Sequence, residues 1–234
     1  MIINTRPLTL ADKTNQLLKG SGIDFLHNPL TKISSISPSD EDLLKLRQLD
    51  SYDVIIFTSQ SAAKFGASFL KEHIKDNLEI PIMAIGLATQ AALNEHDLIS
   101  DVPSAFNSVG LAELIEQGKH EKCLIFCGGK QPQLSFHTPV TLDTFSCYEV
   151  IDEESVELSS ITGNRKAIFL IYNIQTLEAL VRHSQAADLE KMNLIVASPR
   201  IQEAAFNHGI KGCVVAESPH DEEMTEAAIK LARS

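Results

Sequence analysis

The chain has 234 residues, 44% of them hydrophobic and 22% charged, which suits one large domain or two small α/β domains with a real core and excludes wholesale disorder. A formal net charge of −11 argues against a nucleic-acid or anionic-membrane partner, and no apolar run approaches the roughly 18 residues that span a bilayer. The N-terminal stretch has no basic, long-apolar signal region, so a cytoplasmic location is expected, with Cys123, Cys127, Cys147 and Cys213 reduced and buried.

In chain order, residues 2–4 read as a short strand of the parallel type. The period predicts a helix over 10–19, with Leu10, Leu17 and Leu18 on one face and Gly20 and Gly22 as its stop. A second strand follows at 24–26 and a turn at Asn28-Pro29. Residues 30–36 mix Leu30, Ile33 and Ile36 with hydroxyls and a lysine, which suits an exposed strand better than a core one. A helix starts near Ser39 or Asp40, either of which caps it, with acidic residues in its first turn.

A buried-type strand at 54–57 runs into Thr58-Ser59-Gln60-Ser61 and then a helix carrying Ala62, Phe65, Phe69 and Leu70 on one stripe. A strand at 82–85 runs into Gly86-Leu87-Ala88-Thr89 and a helix over about 88–95. A loop over 103–108 leads into a helix over 109–117. A strand at 123–126 precedes Gly128-Gly129-Lys130, and residues 144–150 form a second half-polar strand. Cys123 and Cys127 sit four apart on one strand and point to one face.

Roughly 110 residues after the first strand–loop–helix units the pattern resumes. A strand at 168–171 runs into Tyr172-Asn173, and one at 194–197 into Ser198-Pro199-Arg200. A helix near 201–207, a stop at Gly209, a strand at 213–215 and a helix over 222–231 complete the chain. Alternating strands and helices with short loops imply parallel sheets covered on both faces.

If 30–36 pairs with 145–151, the chain leaves one domain, builds a second and returns. The expected architecture is therefore two parallel-sheet α/β domains joined by a two-stranded β-ribbon hinge, with a substrate cleft between them. The discontinuous domain comprises 1–29 and 152–234, the inserted domain 37–144, and the ribbon 30–36 and 145–151. Each unit ends a strand where N–H groups and hydroxyls face outward at a helix start, an arrangement that receives carboxylates or phosphates. The net negative charge does not exclude an anionic substrate, because exposed charges are screened beyond roughly 8 Å and donors inside the cleft decide binding.

Taken together, Thr5-Arg6-Pro7, Phe57-Thr58-Ser59, the stretch from Ala84 to Thr89, Asn107-Ser108 followed by Leu111 and Leu114, Cys147-Tyr148-Glu149-Val150 and Ala216-Glu217-Ser218-Pro219 resemble the uroporphyrinogen-III synthase family. The resemblance covers nearly the whole chain in order. Two places depart from the family: its Thr-Ser at a second-half strand exit is Tyr172-Asn173, and its Gly-x-Thr-Thr turn is Ser198-Pro199-Arg200-Ile201.

The resemblance implies a cyclising, dehydrating carbon–oxygen lyase of tetrapyrrole synthesis (haem, sirohaem or cobalamin), acting as a monomer on hydroxymethylbilane. The ring closes with inversion of the last pyrrole and loss of water, and the pyrroles supply the electrons, so no cofactor and no metal are required. Tyr148, on the strand that carries the family's tyrosine, is the candidate proton donor, since a phenol of pKa about 10 stays protonated at neutral pH. Its alternative is local packing and hydrogen bonding on the ribbon. Thr58, Ser59 and Thr89 are first-half candidates for substrate contact, and Asn173 and Ser198 their second-half counterparts; the same hydroxyls and amides also serve as helix caps. Asn107 and Ser108 carry the same two readings, and Arg6 pairs either with a substrate carboxylate or with a structural acid.

Other motifs stay silent. Gly128-Gly129-Lys130 lacks the phosphate-loop pattern, no Cys or His set has metal-ligand spacing, the histidines are scattered, and Cys147 has no identifiable base beside it. The competing reading from another class is a non-catalytic two-domain protein that closes on a small anion; a third is a family member that has lost activity through the two departures.

Overall fold

The structure, a computed structural model, describes residues 1–74, 79–129, 134–153, 158 and 167–234; Lys130 and Lys166 lie outside the described residues. The chain divides into two compact units, one of Met1–Ile33 with Val150–Ser234 and one of Ser34–Glu149.

Among the described residues the first unit carries a five-stranded sheet made of β1 (Ile2–Asn4), β2 (Phe25–His27), β8 (Ile168–Ile171), β9 (Asn193–Val196) and β10 (Gly212–Val215). Their order is β10-β9-β8-β1-β2 and every pairing is parallel, with Ile2 opposite both Phe25 and Ile168. The central strand β8 reads as a continuous apolar run because both of its faces are covered. Ile3, Phe169, Ile171, Leu194 and Val196 pack in one cluster with Leu177 and Leu180 of helix α6 (Ile174–Arg182) and with Ile201 and Ala205 of α8 (Pro199–Asn207). The alternate residues Ile2, Ile168, Leu170 and Ile195 pack in another with Leu18 of α1 (Asp12–Gly20) and with Met224 and Ala228 of α9 (Asp221–Arg233). Successive side chains of a strand point to opposite faces, so a two-sided core demands apolar residues at every position. A further short helix, α7 (Ala186–Leu189), precedes β9.

The second unit's sheet has the order β3-β7-β6-β4-β5, built from β3 (Thr31–Ser35), β4 (Val54–Phe57), β5 (Ile82–Ala84), β6 (Lys122–Gly128) and β7 (Thr141–Asp152). β4 to β7 pair in parallel. β3 runs against β7: Ile36 N–H donates to the Cys147 carbonyl at 3.1 Å, and Glu153 N–H to the Leu30 carbonyl at 3.0 Å. The division between the units falls inside both of these strands.

One face of this sheet presents Ile55, Phe57, Leu124, Phe126 and Phe145 to Leu46 of α2 (Asp40–Arg47), Ala62, Ala67 and Leu70 of α3 (Gln60–His73), and Leu93 of α4 (Leu87–Asn94). The other presents Val54, Ile56, Ile125 and the paired Cys123 and Cys127 to Leu111 and Ile115 of α5 (Ser108–Gln117). Phe126 is the centre of an aromatic row, with ring centroids 4.5 Å from Phe57 and 4.7 Å from Phe145. Burying each such ring contributes about 2–3 kcal/mol relative to exposure. α3 reaches this row only because position 66 is glycine: a Cβ there would stand 2.6 Å from Phe126 Cδ1.

Several element starts differ from the sequence reading by a turn or less. The first helix begins at Asp12, behind a separate 3-10 turn at Leu8–Leu10, because Pro7 and Leu8 carry the chain away from β1 before the regular spiral starts. α8 begins at Pro199 rather than 201, since proline suits the first helical position. Ser39 caps α2 in a reciprocal box with Asp42, and Gly209 ends α8 at φ 84°, a conformation that disfavours any side chain.

Candidate active site

In open parallel sheets, ligands bind beyond the carboxyl ends of the strands where the winding direction reverses. In the second unit the chain passes from β4 to β5 and returns to β6 on the other side of β4, so the reversal falls between β4 and β6. Thr58 and Ser59 follow β4 at this point, Gly128 ends β6, and Tyr148 of β7 stands opposite Gly128.

The seating of Tyr148 comes from a bulge. Cys127 pairs with Ser146, yet the next residue, Gly128, pairs with Tyr148, so β7 advances two residues for one on β6. Bulges of this kind re-aim side chains. The Tyr148 ring then covers Gly128 so closely that a Cβ there would lie 3.0 Å from both Cε2 and Cζ. Phe65 flanks the ring at 6.3 Å between centroids.

The Tyr148 hydroxyl lies 3.0 Å from Ser59 Oγ, and that oxygen also accepts the Ala62 N–H at 3.0 Å, capping α3. Burial pushes the Tyr148 phenol above its ordinary value, and the hydrogen bond with Ser59 pulls it back down. The neighbouring thiols stay neutral: burial lifts Cys147 to about 12 and Cys127 to about 11. Tyr148 is thus a protonated, half-buried phenol at neutral pH, held at a strand exit.

The other candidates of this unit fall into three kinds. The Thr58 hydroxyl and N–H both donate to the Phe126 carbonyl at 3.2 Å, which pins the β4 exit to β6. Asn107 accepts from the N–H groups of Val109 and Gly110 at 3.0 Å each as the cap of α5, and the exposed Ser108 is the first residue of that helix. Thr89 is the third residue of α4 and only 3% exposed.

In the first unit the reversal falls between β1 and β8, where Arg6 follows β1 and Tyr172 and Asn173 follow β8. Arg6 Nη1 donates to Asp221 Oδ1 at 2.5 Å, and the guanidinium carbon sits 4.3 Å from the centre of the Tyr172 ring. The hydroxyls of Tyr172 and Thr14 donate to the same carboxylate oxygen at 2.9 and 2.7 Å. Of the two readings open for Arg6, the structure has the structural acid. Asp221 opens α9, where the amino end of the helix favours a negative charge. Asn173 caps α6 by accepting the Thr176 N–H at 2.8 Å. Ser198 precedes α8 without making a capping bond, so its half-buried hydroxyl is not committed to the helix.

Sequence reasoning missed Tyr172, which stood out only as a departure, and missed Thr14, Asp221 and Gly128. The sole sequence signal for Asp221 is an acidic first turn shared with Glu222 and Glu223, which does not single it out. A cavity of about 410 Å³ lies along β10 and α9, lined by Val215, Glu223 and Lys230 among others, and contains none of the candidate residues. Among the described residues no group of three or more His, Cys, Asp or Glu is placed to hold a metal ion, and no helix is long and apolar enough to cross a membrane.

Compared with known proteins, residues 12–226 match the family model described as Uroporphyrinogen-III synthase HemD. No curated protein matches the sequence. Among solved structures, the chain is similar to a uroporphyrinogen-III synthetase from Helicobacter pylori, with 16% identity, 98% of each chain covered and a TM-score of 0.63. It is also similar to a mutant uroporphyrinogen III synthase from the extremely thermophilic bacterium Thermus thermophilus, with 14% identity, 100% of this chain and 99% of that chain covered, and a TM-score of 0.61. At such identities these two likenesses speak to the fold, and the family match carries the assignment.

Proposed function

Since the chain belongs to the uroporphyrinogen-III synthase family, we propose that it closes hydroxymethylbilane into uroporphyrinogen III as a carbon–oxygen lyase, with Tyr148 as the proton donor to the departing hydroxyl. The observation that carries the residue assignment is the Tyr148 phenol at the winding reversal of the second unit, protonated and hydrogen-bonded to Ser59.

The phenol proton passes to the hydroxymethyl oxygen as the C–O bond breaks, releasing water. The lone pair of the adjacent pyrrole nitrogen closes to an azafulvene cation. The last pyrrole attacks that carbon through its substituted position, giving a spiro intermediate that fragments and recloses in the inverted sense. The proton lost when the ring regains aromaticity returns to the phenolate, so the cycle balances and needs no oxidant or cofactor.

The same substrate closes to the non-inverted isomer without a protein, so shape holding determines the product. Effective positioning of this kind supplies up to several kcal/mol of the barrier. Groups at the strand exits are the proposed holders of the substrate carboxylates: the Ser59 backbone N–H with Asn107 and Ser108 in the second unit, and Asn173 and Ser198 in the first, while the Thr58 hydroxyl and N–H stay on the Phe126 carbonyl and shape the β4 exit. Each charge-assisted bond contributes about 1.5–3 kcal/mol, so several give useful affinity. Arg6 contributes indirectly by fixing the β1 exit beside Tyr172. A monomer working in the cytoplasm completes the reading.

A coupled assay tests it: hydroxymethylbilane is generated in situ, the products are oxidised and the uroporphyrin isomers are resolved by chromatography. Dominance of isomer III is expected. Isomer I alone from folded protein would overturn the synthase reading in favour of a binding protein or an inactive relative.

A further inference from the structure

The proposed proton donor does not stand alone: it is the end of a short hydrogen-bonded chain that starts at a helix. The Ala62 N–H of α3 donates to Ser59 Oγ at 3.0 Å, and Ser59 Oγ lies 3.0 Å from the Tyr148 hydroxyl. We infer that Ser59 is a positioning residue, which donates its hydroxyl proton to the Tyr148 oxygen and so couples the amino end of α3 to the phenol as it gives up its proton.

Hydrogen-bond bookkeeping at Ser59 allows this direction, and the chemistry of proton donation favours it. A serine hydroxyl has one proton and two lone pairs. One lone pair is occupied by Ala62 N–H. If Ser59 donates toward Tyr148, the phenol proton stays free to leave, and the phenolate that results inherits a donor already in place. If instead Tyr148 donated to Ser59, its proton would be tied up and the donor would have to reorient during the reaction. A donor aimed at the charge that develops is the arrangement that favours the transition state over the ground state.

Among the described residues the surroundings supply no substitute. The ring is wedged over Gly128 with Phe65 beside it, and the ionisable groups acting on the phenol from β6 and β7 are the thiols of Cys127 and Cys147. Both thiols are held neutral by burial, at about 11 and about 12, so neither compensates a phenolate. Ser59 is the group that opposes the burial of Tyr148. The helix lends further support, since α3 is 14 residues long and its amino end carries a partial positive charge.

This inference rests on the proposed role of Tyr148, and the test separates the two. Ser59→Thr, Ser59→Asp and Ser59→Ala are compared with the parent chain. Threonine keeps both the cap and the donor; aspartate keeps the cap but only accepts; alanine loses both. The readouts are isomer III turnover and phenol ionisation, the latter followed by fluorine NMR of protein grown with difluorotyrosine, in which the chain's three tyrosines are assigned by Tyr148→Phe and Tyr172→Phe.

Expected are near-parent behaviour for Ser59→Thr, and for Ser59→Asp and Ser59→Ala a Tyr148 resonance that ionises at higher pH with turnover reduced about tenfold or more. A parent-like Ser59→Asp, or an unmoved Tyr148 titration, reduces Ser59 to a helix cap and overturns the inference. Absence of isomer III from the parent itself overturns the proposed function, while the titrations still report whether Ser59 donates to Tyr148.

Discussion

Arg6 and Asp221 are 215 positions apart in the chain and 2.5 Å apart in space, and their side chains are 16% and 14% exposed. This pair fastens the exit of β1 to the start of the last helix. The Tyr172 ring beneath the guanidinium, and the Tyr172 and Thr14 hydroxyls on the same carboxylate oxygen, complete a cluster in which one acid organises three donors.

Removing Asp221 strands a largely buried guanidinium. Asp221→Ala is expected to lower stability by about 3 kcal/mol, the scale for breaking a buried pair from one side. Chemical denaturation reads the loss, and a variant as stable as the parent would mean that Arg6 finds another partner.

Tyr148→Phe keeps the ring over Gly128 and deletes only the proton donor. Turnover to isomer III is expected to fall by about 10²-fold, within the range for general acid catalysis, with KM little changed. Unchanged turnover removes Tyr148 from the mechanism.

Two glycines make a steric prediction. Gly66→Ala places a Cβ 2.6 Å from a ring atom of the fully buried Phe126, so a loss of about 1–3 kcal/mol is expected although alanine favours helices. Gly128→Ala meets Tyr148 Cε2 and Cζ at 3.0 Å and is expected to cost turnover more than stability. Parallel denaturation and isomer assays distinguish the two outcomes.

The thiols predict an alkaline limit. Burial raises Cys123 and Cys147 to about 12 and Cys127 and Cys213 to about 11, whereas an exposed thiol ionises near 9.0. The folded chain therefore holds these protons more tightly than the unfolded chain. No stability is lost to them below about pH 9; above it stability falls, by as much as about 1.4 kcal/mol per pH unit per thiol, until the folded values are reached. Denaturation midpoints measured between pH 8 and 11 check the slope. At pH 8 the four buried thiols are expected to resist alkylation until the protein is unfolded.

Asn107 binds two N–H groups at the start of α5, so Asn107→Ala is expected to cost about 1 kcal/mol. Asn107→Ser restores most of it in a thermal melt if capping is the whole of its structural role.

How much of this was legible in the chain follows from the range of the interactions. Four-residue runs such as Val54-Ile55-Ile56-Phe57 announce strands buried on both faces, because no polar residue is tolerated on either side. Hydroxyls and amides at strand exits announce helix starts, and Ser39, Ser59, Asn107 and Asn173 do cap the helices that follow them. Tyr148 stands out through its place in the order of motifs rather than by any local pattern, and in sequence Thr89 looks like the equal of Thr58 and Ser59, although it is far more buried than either.

By itself the sequence determined the alternation of strands and helices, the apolar faces, the caps and the family, since each depends on neighbours within a few residues or on the order of motifs along the chain. Only the tertiary structure decided which side chains meet. Sheet order put Ser59 beside Tyr148 and Arg6 beside Asp221, and a one-residue bulge aimed the phenol over Gly128. Such contacts join residues tens to hundreds of positions apart, and nothing in the local periodicity of either partner encodes the identity of the other.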